Sequence, residues 1–320
     1  MNAKDLRIVF MGTPEFAVPS LKALVEGGYN VVAVVTTPDK PAGRGRQLHE
    51  SDVKITAREL GLPILQPEKL RDEEFVAAME SLKPDLGIVI AFRMLPEVIW
   101  SMPRLGTFNL HASLLPEYRG AAPINWAIIN GEKETGVTTF LLNHEIDKGA
   151  IIGQLREEIT PDDTIGTLYD RLMYKGVGLV LETVEKLASG DINPIEQQHI
   201  DESTLKPAPK IFKEDCLVDW SKGGRQIVNF VRGLSPYPAA WSRLVRDGEE
   251  LTVKIFRTSF LEAAHNEPLG TIRTDWREEL EVACADGWIK IHELQVAGKR
   301  RMTTHDLLLG FRQIESYEFR

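Results

Sequence analysis

Residues 6–36 read LRIVFMGTPEFAVPSLKALVEGGYNVVAVVT. The stretch opens on one apolar run, 6–11, and closes on another, 31–36. Both are rich in β-branched residues and apolar on both faces, the pattern of strands buried on two sides in a parallel sheet. Between them, residues 14–26 have helix-compatible spacing. Pro14 stands just inside the start and Gly27-Gly28 just past the end, where such residues suit a helix. Strand, helix and strand in succession predict a crossover unit with parallel strands.

Working outward, DLGIVIA at 85–91 repeats the strand pattern, and 51–60 and 72–82 repeat the helical one. TFNLH at 107–111 and TGVTTFLL at 135–142 read as further strands, and 164–188 as a long closing helix. The alternation predicts an open α/β sheet with helices on both faces. Ligands in such sheets bind beyond the carboxyl ends of the strands. Three loops lie there: GTPEF after Met11, FRMLP after Ala91, and ASLLPEYRGAAP after His111. The segment GDINPIEQQHIDESTLKPAPK, at 190–210, holds three prolines and many polar residues and reads as a linker. Beyond it, short strands at 239–246, 250–256, 270–274, 280–285 and 288–296 alternate with turn signals at Asp247-Gly248 and Asp286-Gly287. With one helix near 222–232, they predict a small β-barrel. The expected organisation is a first domain over 1–189, a linker over 190–205 and a second domain over 206–320.

The chain has 320 residues and a net charge of −9. The charge is uneven. Residues 1–203 hold 20 Lys/Arg against 30 Asp/Glu, and residues 204–320 hold 18 against 17. Local basic clusters, rather than total charge, set the attraction for phosphate. One cluster is Lys40, Arg44 and Arg46, facing Asp39 alone, in a loop whose glycines and proline disfavour helix or strand. Others are Lys206, Lys210 and Lys213, and Lys299 with Arg300 and Arg301. No apolar run approaches membrane-spanning length and the N-terminal run is a strand rather than a secretion signal. The two cysteines are far apart. A reduced, cytoplasmic protein, acting as a monomer, is expected. G-x-G-x-x-G is absent, which argues against a nicotinamide cofactor. The histidines outside 107–111 lack metal-ligand spacing, so no metal is expected.

The chemistry concentrates in Asn109-Leu110-His111-Ala112-Ser113-Leu114-Leu115-Pro116, followed by Gly120. Side chains alternate along a strand, so Asn109 and His111 project from one face at its end. An amide donor beside an imidazole can hold an oxyanion, and the imidazole can move protons near neutral pH. Gly120 lets the backbone pass close to another group. Asp147, in Glu145-Ile146-Asp147-Lys148-Gly149, could serve only its turn. Brought near His111, its carboxylate would orient the ring and favour the charged form.

Asn109-x-His111-x-Ser113-Leu114-Leu115-Pro116 with Gly120, followed by Asp147-x-Gly149, is similar to the folate-dependent formyltransferases. That family acts on glycinamide ribonucleotide, on amino-sugar nucleotides and on methionyl-tRNA. The resemblance implies a Rossmann-like first domain and an OB-like barrel. It implies that Asn109, His111 and Asp147 are catalytic and that Ser113, Leu114, Leu115 and Pro116 line the site of the donor, 10-formyltetrahydrofolate. Further segments, Phe10–Phe16, Pro38–Gly45, Tyr118–Ile124 and Val296–Lys299, resemble the members acting on methionyl-tRNA. Initiator methionyl-tRNA is therefore the expected acceptor. Arg44 matches an arginine implicated in acceptor-stem contact, and Lys40, Arg46, Lys206, Lys210 and Lys299 are the expected supporting cations. Three departures stand out: Phe92-Arg93-Met94, Lys148, and Asn143-His144-Glu145 before the Asp147 turn. The competing readings are a formyltransferase for a small amine and a non-catalytic RNA-binding module.

Overall fold

A computed structural model describes residues 2–42, 47–197 and 201–320. The chain forms two compact units that interleave along the sequence. The first comprises Met1–Gly120, Thr135–Glu157 and Tyr169–Pro207, and the second Ala121–Glu134, Glu158–Leu168 and Ala208–Arg320.

The first unit is built on β1 (Ile8–Gly12), α1 (Val18–Glu26) and β2 (Val31–Val35), the crossover read from residues 6–36. A 3-10 turn, Glu15–Ala17, precedes α1. A short hairpin, β3 (Lys40–Ala42) with β4 (Gln47–His49), comes next, then α2 (Asp52–Glu59), β5 (Ile64–Leu65) and α3 (Glu73–Ser81). The expectation of pure loop at Pro41 and Ala42 is corrected. Pro41 pairs with Leu48 in a two-stranded ladder, whose edges tolerate a residue without N–H. Then follow β6 (Leu86–Ile90), α4 (Glu97–Trp100), β7 (Thr107–His111), β8 (Glu134–Leu141), β9 (Ile151–Glu158) and α6 (Ile165–Ser189), with α5 (Pro123–Ile129), between β7 and β8 in the chain, grouped with the second unit. The sheet order is β5-β2-β1-β6-β7-β8-β9. Strands β2, β1, β6 and β7 are parallel, and β8 runs antiparallel to β7.

Every residue of β1 and β6 is buried, which explains their unbroken apolar runs. Alternation divides them between two layers. Val9, Met11, Val35 and Val89 pack with Phe75, Met79 and Ile99 from α3 and α4. Leu110 and Thr139 face α6 instead. A Cβ at Gly176 would stand 2.6 Å from Leu110, and Thr139 Oγ1 lies 2.8 Å from Thr183 Oγ1.

The second unit holds α7 (Gly224–Leu234), β10 (Ala240–Arg246), β11 (Glu249–Glu262), β12 (Ile272–Thr274), β13 (Leu280–Cys284), β14 (Gly287–Val296), β15 (Met302–Thr303), α8 (Thr304–Gly310) and β16 (Glu318–Phe319). Its sheet is ordered β12-β13-β14-β11-β10-β16. A bridge between Thr271 and Glu318 brings the two edges together, giving the expected nearly closed antiparallel barrel. Asp247 and Gly248, at φ 48° and 85°, form the β10–β11 turn, a conformation that suits this pair. The β13–β14 turn falls one residue earlier than expected: Cys284 pairs with Gly287, so Ala285 and Asp286 make the corner. α5 belongs to this unit. Asn125 Nδ2 donates to Gly233 O of α7 at 2.8 Å.

Candidate active site

The end of β7 presents Asn109 and His111 on the face opposite Leu110, and Leu110 packs on α6. The two side chains therefore point away from that helix together. The Asn109 side chain is half-buried, and among the described residues no protein group bonds to it, so its amide is available to a ligand.

His111 is buried, 6% exposed. Its Nε2 lies 2.9 Å from Tyr118 O. A carbonyl oxygen only accepts, so Nε2 carries a proton and Nδ1 is the nitrogen left for chemistry. Nδ1 is 4.0 Å from Asp147 Oδ2, so a second proton on the ring faces a carboxylate. The same Oδ2 accepts the Gly120 N–H at 3.0 Å. Gly120 has φ 128°, a conformation nearly closed to residues with a Cβ, so the turn that holds His111 is also the one that holds Asp147. Asp147, at φ 55°, sits in the left-handed region.

Residues Ser113–Pro116 form a turn against the antiparallel edge of the sheet. Ser113 Oγ donates to Glu117 O at 2.7 Å. Thr138 Oγ1 donates to Ser113 O at 2.6 Å and accepts the Leu115 N–H at 3.2 Å. Gln154 Nε2 donates to Leu115 O at 2.8 Å and to Thr138 Oγ1 at 3.0 Å. Leu115 packs with Phe140 and Ile151, and Leu114 lies over Gly136, where a Cβ would come within 2.6 Å of it. Pro116 follows a cis peptide bond. Sequence reasoning missed Thr138 and Gln154. Thr138 lies on the expected strand β8, but its bonds reach the turn after β7, a contact that leaves no local signal, and Gln154 lies on β9, whose mixed pattern the sequence reading did not pick out as a strand.

The departures have clear contacts. Arg93 donates to the backbone oxygens of Pro67 and Glu68, and burial draws its guanidinium below the usual range. Lys148 bonds to Glu145 at 2.8 Å and also to Glu202, and both contacts raise its ammonium above the ordinary value. His144 lies beside Trp100 and Glu97.

Of the expected tRNA-facing cations, Arg44 and Arg46 lie outside the described residues. Lys40 is exposed at the start of β3. Asp39, the acid set against that cluster, is bonded to Lys54 at 2.5 Å and to Gln66 at 2.9 Å, which hold its carboxyl below the usual range. Lys206 is exposed in the first unit, and Lys210 and Lys299 are exposed in the second. Lys210 and Lys299 lie over the rings of Phe212 and Phe311 at 5.1 and 5.7 Å. Among the described residues, no group of three or more His, Cys, Asp or Glu could hold a metal ion, and no helix is long and apolar enough to cross a membrane.

A profile described as formyl transferase matches residues 6–184, and one described as formyl transferase, C-terminal domain, matches 210–312. The chain belongs to the formyl transferase family. Within that family it is 58% identical over 316 residues to the methionyl-tRNA formyltransferase of Phocaeicola vulgatus, covering 98% of each chain. It is 55% identical over 320 residues to that of Bacteroides thetaiotaomicron, covering 99% of each. Formyl transferase folds also appear among the similar solved structures. HypX from Aquifex aeolicus, in complex with tetrahydrofolic acid, superposes with a TM-score of 0.62 at 21% identity, over 96% of this chain and 48% of that one. WlaRD, a sugar 3N-formyl transferase, gives 0.63 at 19%, over 92% and 99%.

Proposed function

We propose that this formyl transferase moves the formyl group of 10-formyltetrahydrofolate to the α-amino group of methionyl initiator tRNA, acting in the cytoplasm as a monomer. One observation carries the chemistry: an open amide at Asn109 beside a histidine whose free nitrogen faces Asp147. The tRNA acceptor is supported by the end-to-end similarity to relatives named for that activity.

The donor supplies a formyl carbon activated toward amines. As the acceptor nitrogen bonds to that carbon, the formyl oxygen gains negative charge. The Asn109 N–H₂ and the protonated Nδ1 of His111 donate to it. The C–N10 bond then breaks, the acceptor nitrogen releases a proton and N10 takes one up. His111 and Asp147, sharing Nδ1, supply a relay for that exchange. The 113–116 turn forms the donor wall. The buried Ser113 hydroxyl and Leu115 side chain shape it from inside, leaving the half-buried Leu114 and Pro116 to meet the donor. Lys40, Arg44, Arg46, Lys206, Lys210 and Lys299 serve the phosphate backbone, so activity falls steeply with rising salt.

The test mixes the protein with 10-formyltetrahydrofolate and methionyl-tRNA and measures formylmethionine. Asn109→Ala is expected to lose about 10²–10³ in kcat, as for removal of an oxyanion donor, with His111→Ala and Asp147→Ala similarly impaired. Folded variants with near-normal rates would refute the site. Binding of both substrates without turnover by the unaltered chain would favour a binding module, and formylation of a small amine alone would favour the other acceptor class.

A further inference from the structure

The segment read as a linker is bound to the turn that carries Asp147. Ile195 forms an antiparallel bridge with Ile151. Gln197 is 7% exposed, and its Nε2 donates to Gly149 O at 2.7 Å and to Asp147 O at 3.1 Å. Its Oε1 accepts from Arg119 at 2.8 Å. Arg119 is the residue before Gly120, whose N–H holds the Asp147 carboxylate. Glu202 bonds to Lys148 and lies 3.6 Å from Arg119. Further on, the Lys206 N–H donates to Glu117 at 2.8 Å and Lys206 O accepts from Tyr118 N–H at 2.8 Å. Tyr118 O is the partner of His111 Nε2.

We propose that Gln197 is a positioning residue: its carboxamide clamps the Asp147–Gly149 turn to the Tyr118–Gly120 turn and so sets Asp147 against His111. The reasoning starts from the turn itself. Glu145 and Ile146 at its tip are exposed, and Asp147 adopts a left-handed backbone that L-residues take at a cost. Such a conformation persists where surrounding structure holds it. Alongside the Gly120 N–H and Glu202, the Gln197 side chain holds the turn's backbone, because one N–H₂ spans the carbonyls at both ends of Asp147-Lys148-Gly149. Its other end is tied through Arg119 to the segment that grips the Asp147 carboxylate and the His111 ring. Gln197 touches no reacting atom and acts through Asp147.

The inference rests on the proposed transfer reaction, and the experiment separates the two. Gln197→Met keeps the side-chain length and removes donor and acceptor. We expect kcat for formylation of methionyl-tRNA to fall about 10- to 100-fold, the scale set by ångström misplacement of a catalytic group. KM for either substrate should stay within about threefold, because only ground-state contacts would change it. On an Asp147→Ala background the same change should lower the residual rate less than about twofold, since residues acting as a unit are non-additive. Gln197→Glu adds a pH signature. Ionised, the carboxylate keeps Arg119 on one oxygen but sets the other against two carbonyl oxygens; protonated on that oxygen, it can donate to one of them. Its rate relative to the unaltered chain should therefore rise as pH falls. A Gln197→Met enzyme with unchanged kcat, an equal loss on the Asp147→Ala background, or a flat Gln197→Glu ratio overturns the inference alone. Should Gln197→Met fail to fold, the Gln197→Glu ratio decides. An unaltered chain that forms no formylmethionine overturns the proposed function and this inference with it.

Discussion

Thr138→Val probes how the 113–116 turn is held at the end of β7. Thr138 lies opposite His111 in the antiparallel β7–β8 pair and is fully buried. Its hydroxyl donates to Ser113 O and accepts from the Leu115 N–H and from Gln154. Valine fills almost the same volume but makes none of these bonds. Gln154 keeps Leu115 O as a partner, so its loss is small. Ser113 O and the Leu115 N–H are left buried without Thr138. An unsatisfied buried group costs about 1–3 kcal/mol, so two sum to about 2–6 kcal/mol. Relaxation of the turn and burial of the added methyl, about 0.8 kcal/mol, offset part of that, leaving about 1–5 kcal/mol. Urea unfolding gives the total, and hydrogen exchange over residues 112–118 shows where it falls. The Leu115 amide should exchange markedly faster in the variant. A loss under about 0.5 kcal/mol with unchanged Leu115 exchange would refute the view that Thr138 fastens this turn, since surface-like substitutions lie in that range. The KM for 10-formyltetrahydrofolate should rise in parallel, as the proposed donor wall loosens.

Gly149→Ala would place a Cβ 1.6 Å from Leu141 O, so the Asp147 turn must open. The formylation rate should drop at least about 10-fold, and a normal rate would detach this turn from the chemistry. Asp275 titrates in the second unit. Its Oδ1 accepts the N–H groups of Arg277, Glu278 and Glu279, which hold its carboxyl down at about 2 against an ordinary 3.8. The folded value lies below the unfolded one, so this stabilisation is complete above 3.8 and is lost as pH falls toward 2. Asp275→Asn should flatten the acid limb of stability between those values in pH-dependent unfolding, and an unaltered slope would count against the cap.

The α/β layer was legible because its strands are covered on both faces. Residues such as Val9, Phe10 and Ile88 had to be apolar whichever way they pointed, leaving a continuous run to read. β9 was not, because it mixes buried and exposed positions through IIGQLREE and carries three charges. The Asn109–His111 face followed from strand alternation alone, and the structure agrees. The approach of Asp147 to His111 depends on the Gly120 N–H and on Gln197, long-range contacts that leave no local period. Gln197 itself sits among polar residues whose composition signals only a linker. Lys148 and Arg93 were visible as departures from the family pattern, but their partners, Glu202 and the carbonyls at 67 and 68, were not.

The interleaving of the units bears on how the chain is made. Asn125 waits for Gly233, 108 residues further on, before α5 can dock on α7. At ribosomal rates of about 5–20 residues per second that delay is roughly 5–20 s. During it, Asn125 and Ile129, which lie against Gly233 in the finished protein, have not yet met α7. α5 thus emerges well before most of the unit to which it belongs. A chain terminated within residues 190–205 would leave α5 permanently without α7, so premature release is a hazard built into this order of synthesis.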